Sequence, residues 1–342
     1  MAYQNVGTPR FYIDTPSYLN SMGVEYGEGL NKDLFGLNIN KQTLIENLTH
    51  NFTLRINTPM PLSKLFNTNK GYVGFLNHTI SSDNYFQMNL GEQSLNSSNV
   101  ININTSSSPQ IENKGFSMWS FQESEIELSE IKISDIYYAN PTAGEFLPLY
   151  MGGITFGSYY DMPHSSELNI SMEITNDGVK SIQTNGGSYL KDVVYNGAPM
   201  WKRNDGSEVP PWTIGQPIAV GRRMGRRSWS LNFNYLDEKD LLSSNYMSNQ
   251  YIENNSGYNS ADLGTNLDNL EEQFYFNINN DDSFVAQVLN KVGNGQRFIF
   301  QPDNTNNNPD QFAICQLDAN KLVVNQVSNG LYNISLNIVE IW

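Results

Sequence analysis

Near the C-terminus the side chains alternate one by one between apolar and polar, and this pattern constrains the fold more than any other in the chain. Between residues 332 and 338, Tyr, Ile, Leu and Ile are separated by Asn, Ser and Asn. A period of two places the apolar side chains on one face of a β-strand. Because such a strand needs partners in a sheet, the sequence predicts that the end of the chain belongs to the core.

Other segments of the C-terminal half predict more strands and one helix. The strongest alternation, from Trp229 to Tyr235, predicts a strand with every odd-numbered residue on its apolar face. Apolar residues at helical spacing predict a short helix that is capped by Asp282-Ser283 and ended by glycine. The predicted elements are the helix 284–292, strands 229–235, 297–302 and 311–317, and a hairpin of strands 168–174 and 179–183 with its turn at 176–178.

Composition favours an all-β protein with many turns. Only 16% of the 342 residues are charged, whereas 12% are aromatic. The formal net charge of −15 argues against general nucleic-acid binding, because a phosphate backbone would be repelled. The single cysteine, Cys315, excludes an internal disulfide. No apolar run approaches the ~18 residues of a membrane span, and residues 1–20 do not read as a signal peptide.

We predict three segments along the chain. Residues 1–43 form an arm, because Pro and Gly interrupt its apolar runs. The arm either covers its own domain or reaches onto a neighbouring subunit. Residues 44–157 form a β-sandwich domain of short strands. Residues 158–342 form a second β domain, with an exposed Asn- and Ser-rich loop at 247–266.

Several stretches resemble one group of proteins, the virion structural proteins of tailed bacteriophages, especially marine phages. The likeness covers most of the chain, and no catalytic motif comes with it. The segments that carry it are Met1–Asp14, Gly157–Ser165, Gln296–Asp303, Asn308–Cys315 and Asn329–Leu336. Two shorter pieces, Gly74–Ser82 and Ile154–Gly157, resemble strands of the galactose-binding-like jelly rolls found on phage tail proteins.

The resemblance implies an all-β subunit of two domains. The first is a β-sandwich of the jelly-roll kind, and the second resembles tail-tube and distal-tail β domains with a short packed helix. The expected function is structural: a tail or baseplate component, made in the host cytoplasm, whose partners are copies of itself in a ring and other virion proteins. One alternative is a carbohydrate-binding module that recognises a host surface glycan, and another is a tail-associated glycan hydrolase.

Candidates for catalysis or metal binding are weak. Glu123 and Glu125 have the chemistry of a glycosidase pair, but 35 acidic residues produce such pairs by chance. The segment 303–310 is rich in side-chain oxygens but lacks the acidic pattern of a calcium loop. The three histidines have no Cys or acidic partner at metal-ligand spacing: His50, His78 and His164. We therefore predict no enzyme activity, no cofactor and no metal.

Four arginines within six positions form the one concentrated charge feature, just before the strand at Trp229. They are Arg222, Arg223, Arg226 and Arg227. Guanidinium groups bind carboxylates with paired hydrogen bonds, so these residues are a candidate interface with an acidic neighbouring subunit. A solvated turn that neutralises local acids and a DNA-facing role are the alternatives.

Three tryptophans are candidate aromatics for a ligand or a partner: Trp119, Trp201 and Trp212. An exposed indole would stack on a sugar or fill a pocket of a partner, whereas core or interface packing is the more common fate of tryptophan.

Overall fold

The computed structural model describes residues 7–21, 34–35, 37, 42–45, 70–78, 85–90, 100–104, 116–122, 131–137, 149–168, 171–175, 179–193, 200–202, 208–209, 225–242, 282–293, 295–318 and 321–341. Strands make up 56% of these residues, which confirms the predicted all-β class. The strands are β1 (Arg10–Asp14), β2 (Thr43–Ile45), β3 (Lys70–His78), β4 (Tyr85–Leu90), β5 (Val100–Asn104), β6 (Phe116–Gln122), β7 (Ile131–Tyr137), β8 (Leu149–Asp161), β9 (Ser171–Thr175), β10 (Val179–Gln183), β11 (Tyr189–Val193), β12 (Trp201–Lys202), β13 (Glu208–Val209), β14 (Arg226–Asp237), β15 (Phe298–Gln301), β16 (Ala313–Leu317), β17 (Val324–Ser328) and β18 (Leu331–Glu340).

The helices are short. Helix α1 (Thr15–Ser21) follows β1 directly, and α2 (Glu238–Leu241) follows β14. The predicted helix at 284–292 is confirmed, although a π-helical turn (Val285–Leu289) precedes α3 (Asn290–Val292). Its predicted cap also forms, because the Ser283 hydroxyl accepts a hydrogen bond from the backbone N–H three residues on, at 3.3 Å.

One sheet of eleven strands organises the described part of the chain. Its strand order is β6-β3-β8-β1-β15-β16-β18-β14-β9, with β17 paired to β18 and β2 paired to β8. The described residues also form a three-stranded sheet, β5-β4-β7, and two two-stranded sheets, β10-β11 and β12-β13. The predicted division between residues 157 and 158 falls inside β8, and the large sheet continues across it.

The predicted arm contributes an interior strand of this sheet. Strand β1 lies between β8 and β15 and is antiparallel to both. Phe11, Tyr12 and Ile13 are all buried, because both faces of the sheet are covered at this position. Residues 10–14 therefore belong to the core of their own chain, and prolines 9 and 16 flank the strand instead of breaking it.

Two hydrophobic clusters cover the two faces of the sheet. Phe11 belongs to the first cluster and lies 5.3 Å from Phe300, measured between ring centroids. Tyr12 belongs to the second and lies 5.0 Å from Tyr72. Neighbouring residues of a strand point to opposite faces, so β1 joins the two clusters.

One prediction about strand pairing and one about the orientation of a side chain are wrong. Strand β9 pairs with β14, and β10 pairs with β11, so the predicted hairpin of β9 and β10 does not form among the described residues. The turn at 184–188 connects β10 and β11, with Gly187 at φ 83°.

The alternation predicts Tyr235 on the apolar face of its strand, but a bulge between Phe233 and Leu236 shifts the register. Leu236 is buried in its place, and Tyr235 is exposed.

Candidate subunit interface

Strand β9 ends the large sheet and is exposed along its whole length. All five of its residues are exposed, and in the described part of the chain it pairs only with β14. Met172 lies directly opposite Trp229 in register, so the two side chains share the core face of the sheet. Yet Trp229 is 3% exposed and Met172 is 54% exposed. The apolar face of the sheet therefore continues past the part that its own chain covers.

Strand β17 is a second exposed strand on the other side of the same region. It pairs with residues 331–334 of β18, whose opposite edge pairs with β14. Asn325 to Ser328 are exposed, and Val323 and Val327 keep 49% and 45% of their surface in contact with solvent. The order β17-β18-β14-β9 is thus a stretch of the sheet with an exposed strand at each end. Strand β17 lies beside residues 331–334 of β18, and β9 lies beside residues 226–230 of β14, at the other end of the β14-β18 pair.

The outer face of this stretch, away from the core, is uncharged at its centre. Ser230 Oγ donates a hydrogen bond to Asn337 Oδ1 at 2.9 Å, and Ser335 Oγ donates to Asn232 Oδ1 at 2.7 Å. These side chains are the polar half of the two alternating patterns in the sequence. They bridge β14 and β18, so the centre of the stretch is cross-linked by side chains as well as by its backbone.

Strands β10 and β11 form a separate ribbon with exposed apolar side chains. Its four large apolar residues with described side chains are between 44% and 68% exposed: Val179, Ile182, Tyr189 and Leu190. Monomeric proteins rarely leave contiguous apolar surface of this kind uncovered. The ribbon and β9 together are a candidate contact surface.

The four arginines do not act as one patch. Arg227 is buried: its Nη2 donates to Glu340 Oε1 at 3.0 Å, and the same guanidinium donates to the carbonyls of Asp310 and Phe312. Arg227 therefore leaves the candidate interface, because its donors are used inside its own chain. Arg226 lies half-buried at the start of β14, and Arg222 and Arg223 lie outside the described residues.

The three tryptophans are placed differently from one another. Trp201 is 2% exposed and packs in the second hydrophobic cluster, so it is a core residue and not a ligand platform. Trp119 lies in β6 opposite Val73. Trp212 lies outside the described residues.

Two buried ionisable groups among the described residues, Asp14 and Lys291, have strongly shifted pKa values and lie in different elements. Burial raises the pKa of Asp14 to about 6, although Ser17 and Thr155 donate hydrogen bonds to its carboxylate and oppose that rise. Burial lowers the pKa of Lys291 to about 7, and the carboxylate of Asp282 opposes the change. Asp14 ends β1, whereas Lys291 lies in α3 and donates to Gln287 of the preceding turn.

The remaining predicted candidates have local roles where they are described. His78 is buried and hydrogen-bonded to Ser117, and His164 is exposed. In the 303–310 segment, Asp303 Oδ1 accepts hydrogen bonds from the backbone and hydroxyl of Thr305, as in a polar turn. Among the described residues, no group of three or more His, Cys, Asp or Glu side chains is placed to hold a metal ion. His50, Glu123 and Glu125 lie outside them.

Comparison of the chain with protein-family models, curated proteins and solved structures found no match. Among the described residues, every helix is too short or too polar to cross a membrane.

Sequence reasoning missed the exposed edge at β17, because a strand of Val, Asn, Gln and Ser carries little periodic signal. It also missed the ribbon, whose signal was the Asn185-Gly186-Gly187 turn.

Proposed function

We propose that this protein is a structural subunit of a tailed-phage virion, in the tail or distal baseplate, and that its copies assemble into a ring. The observation that carries the proposal is the pair of exposed strands, β9 and β17, on the two outer sides of the β14-β18 pair. An exposed edge presents backbone donors and acceptors that a strand of another chain can satisfy. With two such edges, each copy binds one neighbour through β9 and a second neighbour through β17.

Charge favours pairing of β9 with β17 over pairing of β9 with itself. Glu173 is the middle residue of β9. Two antiparallel β9 strands in symmetric register would therefore place two Glu173 carboxylates opposite each other, and like charges in that position destabilise a strand pair. Strand β17 has no charged residue, so a contact between β9 and β17 avoids this repulsion.

A contact between two different surfaces is heterologous. Its repetition gives a ring when the rotation closes and an open helical filament when it does not, and the proposal is the closed form. In such a ring, the β17-β18-β14-β9 stretch of every copy would join one continuous sheet. This arrangement agrees with the tail-tube-like domain that the resemblance of residues 296–336 implies. A jelly roll in residues 44–157 and contacts with other tail or baseplate proteins are further parts of the proposal.

Lysines placed on each edge test the contact. The β9 variant is Met172→Lys with Ile174→Lys, and the β17 variant is Val323→Lys with Val327→Lys. Charged side chains on an edge block strand addition, so we expect light scattering and negative-stain electron microscopy to show rings for the native chain and monomers for each variant. Mixed together, the two variants should form a dimer and stop there, because each keeps one intact edge.

The mixing experiment also separates the alternatives. If β9 paired with β9, the β17 variant alone would dimerise and the mixture would add nothing. A control variant, Lys239→Ala, changes an exposed residue of α2 and should leave the rings intact. Rings that persist in both edge variants would contradict the proposed contact, and a native chain that stays monomeric at high concentration and at high salt would contradict the ring itself.

A further inference from the structure

The turn that connects β10 and β11 contains an asparagine followed directly by glycine. The Gly187 N–H donates to the Thr184 carbonyl at 2.9 Å, and the Ser188 N–H donates to the Thr184 hydroxyl at 3.1 Å. Asn185 and Gly186 lie between these bonds and are exposed. Within the described part of the chain, neither the Asn185 side chain nor the Gly186 N–H forms a hydrogen bond. The turn is therefore held at its base and open at its tip.

An asparagine that precedes glycine can lose its side-chain amide without an enzyme. The backbone nitrogen of the glycine gives up its proton to a base and attacks Cγ of the asparagine. A bond forms between that nitrogen and Cγ, the bond from Cγ to Nδ2 breaks, and the amide leaves as ammonia after it takes a proton from water. Water then opens the resulting five-membered imide at either carbonyl, which gives aspartate or isoaspartate. Glycine favours the attack because it has no Cβ beside its nitrogen.

The structure leaves room for this reaction in the ribbon turn. A Cβ built on Gly186 would meet a single atom within 4 Å, Thr184 Oγ1 at 4.0 Å. The turn must change its backbone geometry for the nitrogen of Gly186 to reach Cγ of Asn185. All five residues of β10 are exposed, and two antiparallel strands alone are at best marginally stable in water. The change of geometry therefore costs little in this ribbon.

A second Asn-Gly turn, at Asn329-Gly330 between β17 and β18, is a natural comparison. It also follows a hydroxyl residue, Ser328, and Asn329 is also exposed. However, the Glu238 N–H at the start of α2 donates to the Gly330 carbonyl at 2.9 Å, and β18 belongs to the eleven-stranded sheet. A change of geometry in this turn would disturb both α2 and the sheet. The two turns thus share their local sequence and differ in how firmly the rest of the chain holds them.

We propose that Asn185 is a site of spontaneous deamidation, which converts the tip of the ribbon to aspartate or isoaspartate faster than it converts Asn329. The inference is independent of the proposed function, because it depends on the two turns alone. Each event adds one negative charge, and isoaspartate also adds one carbon to the backbone of the turn. The remaining Asn-Gly pairs of the sequence begin at Asn196 and Asn294, which lie outside the described residues.

Peptide mass spectrometry measures the two sites separately. Trypsin cleaves after lysine, so Asn185 is recovered in peptide 181–191 and Asn329 in peptide 322–342. For the full-length folded chain, aged in dilute solution in mildly alkaline buffer, we expect Asn185 to deamidate at least tenfold faster than Asn329. The control is the same chain unfolded in guanidinium chloride, where we expect similar rates because the local sequences are alike. Equal rates in the folded chain, or a faster Asn329, would overturn the proposal.

The variant Gly186→Ala tests the role of the attacking nitrogen. Gly186 does not have a positive φ, and its position has room for a Cβ, so alanine fits the turn. We expect Gly186→Ala to slow deamidation of Asn185 at least tenfold, with the rate at Asn329 and the thermal transition unchanged. An Asn185 that stays intact in the folded native chain while it deamidates in the unfolded chain would also overturn the proposal, since the folded turn would then prevent the attack.

Discussion

Asp14 is a buried carboxylate whose described partners are hydroxyl and amide donors. Its Oδ1 accepts from Thr155 Oγ1 at 2.8 Å, and its Oδ2 accepts from the backbone N–H of Ser17 at 3.0 Å. Tyr72 Oη lies 2.8 Å from the same Thr155 hydroxyl, and burial raises the pKa of that phenol well above its ordinary value. Burial is thus the dominant influence on this pocket, and it favours the protonated form of Asp14.

The raised pKa of Asp14 predicts the sign of a pH effect on stability. The native chain holds this proton up to about pH 6, whereas the unfolded chain loses it near 3.8. The stabilisation is therefore fully present below pH 3.8 and is lost as the pH rises through 6. The two pKa values correspond to roughly 3 kcal/mol at most. We expect the free energy of unfolding of the native chain, relative to Asp14→Asn, to fall between pH 4 and pH 7.

Urea unfolding at several pH values measures this difference directly. The other acids titrate equally in both proteins, so subtraction isolates Asp14. The exposed control Asp318→Asn measures what the change from carboxyl to amide does to stability at a surface position. A difference for Asp14→Asn that stays constant between pH 4 and pH 7 would show that this carboxyl ionises in the folded protein as it does in water.

Arg227 and Glu340 form a buried ion pair that ties the start of β14 to the end of β18. Glu340 is 1% exposed and accepts from both the backbone and the guanidinium of Arg227. Removing one partner leaves the other charge buried without compensation, which costs about 3–5 kcal/mol. We expect Glu340→Gln and Arg227→Met each to lose stability in this range.

A double-mutant cycle checks the coupling of that pair. The variant Arg227→Met with Glu340→Gln should cost clearly less than the sum of the two single changes, since no charge is left unpaired. Denaturant unfolding of the native chain, both single variants and the double variant gives the coupling energy. Additive losses would mean that the two side chains stabilise the fold independently.

Among the elements, β14 contains the clearest local strain. Tyr235 has φ 59° and stands at the bulge, where its backbone N–H donates to Asn333 Oδ1 at 3.0 Å. A left-handed conformation costs a residue with a Cβ roughly 1–2 kcal/mol, and Asn tolerates it better than Tyr. We expect Tyr235→Asn to raise the free energy of unfolding by about 0.5–1 kcal/mol.

Thermal or urea unfolding checks the effect of Tyr235→Asn. The control is Val327→Asn, which also replaces an exposed apolar residue by Asn, at a position without a positive φ. The control should be neutral or destabilising. If Tyr235→Asn also lowers the free energy of unfolding, the contacts of the tyrosine side chain stabilise the fold by more than the backbone strain destabilises it.

Strands in which apolar and polar residues alternate strongly were predictable from the sequence, but the strands with which they pair were not. The alternation in β18 and in the first part of β14 appears in the structure as alternating burial. The same alternation placed Tyr235 on the wrong face, because an inserted residue reverses the sides that follow it. Nothing in residues 176–178, which the sequence predicts as a turn, indicated that β9 would pair with β14, since that pairing depends on residues more than fifty positions away.

At the scale of the whole molecule, the N-terminal residues complete the sheet that the C-terminal residues build. Deleting residues 1–21 would remove β1 and α1 and leave β8 and β15 without the strand that lies between them. It would also remove Phe11 from the first cluster and Tyr12 from the second. We expect the deleted chain to be insoluble, or to lack the cooperative thermal transition of the native protein.

The matched control is a deletion of residues 1–6, which keeps every residue of β1. Circular dichroism and a melting curve compare the two truncated chains. A soluble Δ1–21 protein with the native transition would mean that β1 is dispensable for folding. The sequence does not show that β9 and β17 are exposed strands, because their exposure depends on which other strands of the chain pair beside them.

The position of β1 also has a consequence for biosynthesis. Tyr12 donates a hydrogen bond to Gln301, which lies 289 positions later in the chain. A ribosome that adds 5–20 residues per second needs roughly 15–60 s to make the intervening polypeptide. During that interval the first strand lacks at least one of its two neighbours, so the nascent chain must remain unaggregated until residue 301 has been made.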